Sequence, residues 1–511
     1  MEKDPKPTVE KIEKVEEKPK VEEKQKPDGK KLNIKKVLPW IILGLVVVAL
    51  STWYILSRRV SQTQLDSYNA RIKQAEMNYK AREYSTAIND YYEATEILPQ
   101  KLDAYAGIID ILLLKNRADD AISITRKSTA ALSTDDRSHL YELLGNYFMD
   151  SQDYDKAREM YQEGLSIGVK NSNVELALGR AFLKLGRIEE AKRQVSMDGY
   201  DDENDSEANL LLSYILGVED SKKAKEQIGK VSPTSKWTLF YDEYGKVLQT
   251  LDEDKNFNAT KLARVYINSG YPHLALEVLR PISGDIANYL DANYYMARAY
   301  LDAKEYGKAI DTYDKVLTIG GKEADVYWGR ARAYYGKNDL QAAIDNYSKA
   351  FGYTGKDITE ELLTEYIDIL LKNNQDLKAV EVIRDVLINV EKPFVYLLGV
   401  RSNYQTGEKA KVDFYIQQLE KLELTETQEK ELLVWKIRGA IDTSNLESAN
   451  TNLETLEAMD KYSPQYHLLS GIIRTKEGDT EGAKQSLERS IEYDLRNEVT
   501  EEATKLLSNL K

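Results

Sequence analysis

The chain has no cysteine, only three histidines and only seven phenylalanines among its 511 residues. Without cysteine, disulfides, thiolate zinc sites and thiol redox chemistry are all excluded. His139, His273 and His467 are widely separated, and the chain contains no HExxH, P-loop, GxSxG or glycine-rich nucleotide fingerprint. The densest acidic run, Asp198 to Asp205, lacks the alternating ligands, the sixth-position Gly and the twelfth-position Glu of a calcium loop. No metal, cofactor or small-molecule substrate is expected, and no enzymatic activity. Glycine (27) and proline (11) are also scarce, which favours helix over strands and turns. The net charge is −14, and residues 57–511 carry −17 of it, so the large part repels phosphate backbones and nucleic-acid binding is not expected.

Long uncharged apolar runs are absent with one exception. Val37 to Leu56 (VLPWIILGLVVVALSTWYIL) holds twenty residues without a charge. As a helix it spans about 30 Å, the thickness of a bilayer's hydrocarbon core. Trp40 and Trp53–Tyr54 lie near its ends, where interfacial aromatics sit, and Arg58 and Arg59 close it. Residues 37–57 are therefore expected to cross a membrane once, as an uncleaved signal anchor, because the apolar stretch is too long and the preceding region too extended for a cleaved signal peptide. That preceding region, 1–36, has twelve Lys and nine acidic residues with few large apolar ones. It cannot bury enough surface to offset chain entropy and is expected to be a disordered tail. Six Lys lie within fifteen residues before the span and three Arg after it, which favours a cytoplasmic N-terminus.

Beyond a juxtamembrane linker (58–67), the chain repeats itself. YKAREYSTAINDYYEATEILP (79–99), FMDSQDYDKAREMYQEGL (148–165), YLDAKEYGKAIDTYDKVL (300–317) and YYGKNDLQAAIDNYSKAF (334–351) share one pattern. An aromatic end to one helix is followed by a polar turn, then by an aromatic or Leu three residues before an Ala. That Ala recurs as Ala87, Ala121, Ala157, Ala191, Ala224, Ala275, Ala309, Ala343, Ala379, Ala449 and Ala483, mostly 34 residues apart. The step from Ala224 to Ala275 is 51 residues, half a repeat too many. Within it Trp237, Phe240, Tyr241, Tyr244, Leu248 and Leu251 fall at helical spacing and predict one extra amphipathic helix.

This pattern resembles the tetratricopeptide repeat (TPR) family. Small residues stand at the family's position 8 (Ala75, Gly145, Gly179, Ala297, Ala331, Gly471) and position 27 (Ala94, Ser128, Gly164, Ala350, Ser490). Aromatics stand at position 17 (Tyr84, Tyr154, Tyr306) and position 24 (Tyr91, Tyr161, Tyr313, Tyr347). The resemblance implies an all-α, right-handed α-solenoid of about 11–12 hairpins. Its expected parts are a first run (68–230), an insert (231–255), a second run (256–495) and a polar capping helix (496–511). The match is strong at 68–195 and 256–351, weaker at 205–230 and 360–455, and returns at 464–494.

In the family, the first helix of each hairpin lines a concave groove that takes up peptides. Carried over residue by residue, this places Arg180, Arg264, Arg298 and Arg332 at position 9, Tyr294 and Trp328 at position 5, and Tyr335 at position 12. Arg is a rigid fork for carboxylates and aromatics supply anchor area, so the groove over 256–351 is expected to hold an extended segment or chain end bearing acidic groups. The competing expectation is that these Arg side chains pair with Asp291, Asp302 or Asp325. The family's chaperone-binding Lys/Asn/Arg clamp is absent: Ile72, Glu76, Glu142 and Asn146 occupy its places. The function expected is a scaffold for other proteins at the bacterial cell envelope. Two alternatives are an import or chaperone-type receptor with cytosolic repeats, and a non-catalytic subunit of an envelope polysaccharide or peptidoglycan enzyme complex.

Overall fold

The computed structural model describes residues 61–510 apart from 129–130, 169, 197–201 and 322, with the side chains of 202–203, 238–241 and 356 also left out. The span at 37–57, the tail at 1–36 and residues 58–60 lie outside the described residues. Among those described, no helix is long and apolar enough to cross a membrane.

The described residues form helices joined by short turns. Five hairpins come first: α1 (Gln62–Lys80) with α2 (Tyr84–Ile97), α3 (Leu102–Leu114) with α4 (Ala118–Lys127), α5 (Thr134–Asp150) with α6 (Tyr154–Ser166), α7 (Ser172–Lys184) with α8 (Ile188–Val195), and α9 (Asp202–Glu219) with α10 (Ser221–Ile228). A lone helix α11 (Thr238–Gln249) follows. Next come α12 (Lys255–Asn268) with α13 (Pro272–Leu279), α14 (Leu290–Asp302) with α15 (Tyr306–Thr318), α16 (Ala324–Gly336) with α17 (Leu340–Thr354), and α18 (Glu360–Lys372) with α19 (Asp376–Leu387). The last are α20 (Pro393–Thr406) with α21 (Lys409–Leu419), α22 (Glu426–Asp442) with α23 (Leu446–Met459), and α24 (Pro464–Glu477) with α25 (Thr480–Tyr493), closed by α26 (Thr500–Asn509). The chain is thus an all-α solenoid with twelve hairpins among the described residues. Helix α1 begins inside the stretch expected to be a linker.

The turn inside each hairpin has one chemistry. Eleven of the twelve carry a residue of left-handed backbone, φ between 54° and 84°, five places before the register position. The second helix starts from a 6→1 hydrogen bond across it, as from the Arg117 N–H to the Leu112 carbonyl (2.8 Å) or Asp153 to Phe148 (2.9 Å). This closes the orphan carbonyls of the first helix. Gly407 fills that position in α20–α21 and identifies Val412 as the register residue where the Ala series skips. Arg82, Gln152, Lys304 and Ser444 accept the same conformation without glycine's freedom.

Tight approach follows from the small residues. A Cβ added at Gly145 would lie 2.3 Å from the Tyr161 ring, and one at Gly107 would lie 2.4 Å from Tyr91. Position-24 tyrosines therefore fill the space that the small residues leave open.

The extra helix joins the runs. Tyr244 and Leu248 of α11 are buried in one core cluster that runs from Tyr68 to Ala299, with Trp237 and Leu251 packed against it. Past α11 the chain turns back, so that α13 packs on α7 and α9 and the Lys184 ammonium donates to the Gly270 carbonyl.

The two ends of the array also meet. The Glu492 carboxylate accepts from the backbone N–H of Ser85 (2.7 Å) in the first turn of α2. The Lys115 ammonium donates to the Glu492 carbonyl (2.8 Å) at the end of α25, and the Asn116 amide donates to the Leu495 carbonyl (2.9 Å). An anion at a helix N-terminus and a cation at a helix C-terminus both complement the helix dipole. Lys115→Glu reverses one of these and sets two carboxylates together, a loss of about 2–4 kcal/mol at the closure. Small-angle scattering is expected to record a larger radius of gyration for this variant than for Lys115→Met.

Candidate functional site

The four arginines at position 9 of their hairpins' first helices stand in different surroundings. Arg180 on α7 pairs with the largely buried Glu207 of α9 at 3.0 Å. It lines a cleft with Asn146, Asp150, Tyr154, Tyr161 and Lys184. Burial lowers the pKa of Lys184, and Arg180 lowers it further.

Arg332 on α16 is fully engaged. Its guanidinium lies 4.2 Å from the Trp328 ring centroid. It grips the Glu365 carboxylate of α18 through Nη2 (2.7 Å) and Nε (3.1 Å), and reaches Glu361 at 2.6 Å. Glu365 also accepts from the Trp328 indole N–H (2.7 Å) and the Tyr347 hydroxyl (3.0 Å). Burial would raise the Glu365 pKa, but these donors, Arg332 foremost, overcome it and hold the carboxyl below its ordinary value. Tyr335 is exposed, accepts from the Lys372 ammonium (3.1 Å), and shares with Arg332, Tyr347 and Glu365 a cleft of about 370 Å³.

Arg298 on α14 is half-buried, and Arg264 on α12 is exposed; neither makes an ion pair or hydrogen bond with a described residue. Beside Arg298, Tyr294 packs its ring 5.6 Å from Tyr295. Burial pushes the Tyr294 hydroxyl up to about 12, with Asp325 adding to the rise and Arg298 opposing it. Asp302, one turn after Arg298, is raised by burial, with Arg298, Arg332 and Lys184 pulling the other way. Asp291, Asp302 and Asp325 form no ion pair with these arginines; the acceptors are Glu207, Glu361 and Glu365.

The structure thus brings Trp328, Arg332 and Tyr335 together, Tyr294 and Arg298 to the preceding hairpin, and Arg180 to a cleft of the first run whose Gln152, Tyr154 and Lys184 also line a further cavity with Arg332 and Tyr335. Sequence reasoning passed over Glu365 and Lys372, and gave Tyr347 its position-24 place without a part in the site. Glu365 is legible only once Ala343 and Ala379, 36 residues apart, are taken as adjacent register marks. Part of the acidic run 198–205 lies outside the described residues. Among the described ones, no group of three His, Asp or Glu side chains could hold a metal ion.

The groove and hairpins define a helical-repeat interaction surface. Residues 148–214 and 297–352 each match a family model described as tetratricopeptide repeat. The RNA polymerase-associated protein CTR9 of Saccharomyces cerevisiae is 32% identical over 118 residues, which span 22% of this chain and 11% of that protein. Among solved structures, the yeast Tom70 structure aligns at 16% identity and TM-score 0.33, covering 87% of this chain and 95% of that one. A tetratricopeptide repeat protein from Parabacteroides merdae aligns at 15% identity and TM-score 0.38, covering 50% of this chain and 99% of that one. Tetratricopeptide repeats are thus matched at 148–214 and 297–352 of this chain.

Proposed function

We propose that this chain is a non-catalytic, membrane-anchored scaffold that holds partner proteins in the groove of its second run, at the bacterial cell envelope. The observation that carries the binding surface is the succession of aromatics and arginines at the same repeat positions of α14 and α16, where Arg298 forms no ion pair with a described residue. Arginine and large aromatics are the side chains that dominate protein-binding hot spots. Support for the anchor comes from the uncharged stretch Val37 to Leu56, and the lysine excess before it orients the tail to the cytoplasm and the solenoid outside. The lack of cysteine is compatible with that placement.

Crosslinking in intact cells, followed by identification of the captured chains, tests the scaffold. The expected result is a reproducible partner joined to residues of α14 or α16; no crosslink on these helices would contradict it. Protease added to the same cells tests the topology. Degradation of the solenoid with survival of a tail epitope is expected, whereas a protected solenoid means that the repeats face the cytosol.

A further inference from the structure

Two successive hairpins place donors at the same three repeat positions, and only one set has an acceptor among the described residues. In α16–α17 the donors are Trp328 (position 5), Arg332 (position 9) and Tyr347 (position 24), and all three converge on Glu365 at 2.7 to 3.1 Å from its nearer oxygens. In α14–α15 the same positions hold Tyr294, Arg298 and Tyr313, each 34 residues earlier. The residue that corresponds to Glu365 is Gly329, position 6 of the next first helix. With no side chain there, the Tyr313 ring closes over the glycine, and a Cβ at Gly329 would lie 2.1 Å from the Tyr313 hydroxyl.

The acid that Arg332 finds at position 6 is therefore missing for Arg298. At position 2, Glu361 reaches Arg332 at 2.6 Å, but its counterpart is Asp325, one methylene shorter, which makes no ion pair with a described residue. Tyr313 is 1% exposed, and its hydroxyl makes no hydrogen bond with a described residue. Neither the Tyr313 hydroxyl oxygen nor the half-buried Arg298 guanidinium is sealed from solvent without a partner, so both stay open to an acceptor that arrives from outside.

We infer that Tyr294, Arg298 and Tyr313 form a receptor for one carboxylate of an extended partner segment, approached from the groove, in the role that Glu365 fills internally one hairpin later. The inference rests on the scaffold reading above and specifies the chemistry of its partner. A carboxylate can come from an acidic side chain or from a chain end. The receptor accepts either, and the choice between them lies in the partner.

The test uses the full chain and three fluorescent decapeptides: a Glu-rich one with an amidated end, a Gly-Ser one with a free C-terminal carboxylate, and the same Gly-Ser peptide amidated. Fluorescence anisotropy is expected to detect binding of the first or second and not the third. The Glu-rich peptide alone binding assigns the site to side chains, and the free-ended peptide alone assigns it to chain ends. Arg298→Ala is expected to weaken that binding about tenfold or more, and Tyr294→Phe less, because a charge-assisted bond outweighs a neutral one. Arg384→Ala, which removes an exposed arginine of α19 paired with its own helix, is expected to leave it unchanged. No binding of either carboxylate peptide, equal binding of the amidated Gly-Ser peptide, or binding indifferent to Arg298→Ala overturns the receptor. If Arg298→Ala still captures the partner found by crosslinking, the receptor fails while the scaffold stands. If nothing is captured by the unaltered chain, the scaffold itself fails.

Discussion

Arg332→Ala is expected to destabilise the second run by about 3 kcal/mol, while Arg298→Ala, at the same repeat position 34 residues earlier, changes stability by less than about 0.5 kcal/mol. The contrast follows from their acceptors. Removing Arg332 strands Glu365, which then keeps only the Trp328 indole and Tyr347 hydroxyl as donors, and it also uncovers Glu361. Breaking a buried pair costs about 3–5 kcal/mol; both partners here are about one-third exposed, so the low end of that range applies. Arg298 has no ion pair with a described residue to lose. Repeat arrays transmit such losses mainly to neighbouring hairpins, so the effect is local. Hydrogen exchange resolved by segment is the measurement: protection is expected to fall across α16 to α18 in Arg332→Ala and to persist in α14 and α15 of Arg298→Ala. Equal losses in the two variants would mean that Arg298 has an internal partner after all, and the open site would close with it.

The second large effect lies at the joint between the runs. Tyr266 is fully buried, and its hydroxyl donates to the Tyr214 carbonyl at 2.9 Å. Tyr244, from the extra helix, donates to the Ser213 carbonyl at 2.9 Å. The Tyr244 ring stands 4.7 Å from that of Tyr214, with the Tyr266 ring 5.9 Å from both. Both hydroxyls reach the backbone of α9 because Gly217 offers no Cβ; one built there would lie 2.2 Å from the Tyr244 oxygen. Truncating a buried aromatic costs about 3–5 kcal/mol, so Tyr266→Ala is expected to lose about 4, and Tyr266→Phe only about 1 for its hydrogen bond. Because these rings weld α9, α11 and α12, the alanine variant is expected to expose 231–255 to limited proteolysis before either run unfolds. If cleavage instead begins elsewhere, the extra helix is not the joint on which the runs depend.

Much of this architecture could be read directly from residue spacing. The Ala register and the polar turns mark each hairpin because the same left-handed turn and close helix contact recur, and both have narrow residue requirements. The extra helix was legible from its apolar spacing. Its packing was not: nothing local states that Tyr244 belongs to the same core as Tyr214 and Tyr266, or that α13 folds back onto α7 and α9. The meeting of the two ends was equally invisible, since Ser85 and Glu492 are 407 residues apart. At the groove, spacing put four arginines in one repeat position but could not say which were already engaged. Acceptors such as Glu207 and Glu365 come from other hairpins, and Glu365 stands in one whose register is irregular. The missing acid at Gly329 becomes meaningful only beside the filled site that follows it.

The most direct measurement is site-specific photocrosslinking from position 294 in intact cells, with position 414 on the outer helix α21 as the control. Capture of a partner segment containing Asp, Glu or a chain end from position 294, absent from position 414 and lost in Arg298→Ala, is the expected result. Capture from both positions alike, or of segments without a carboxylate, would contradict a groove whose Arg298 site awaits an acid.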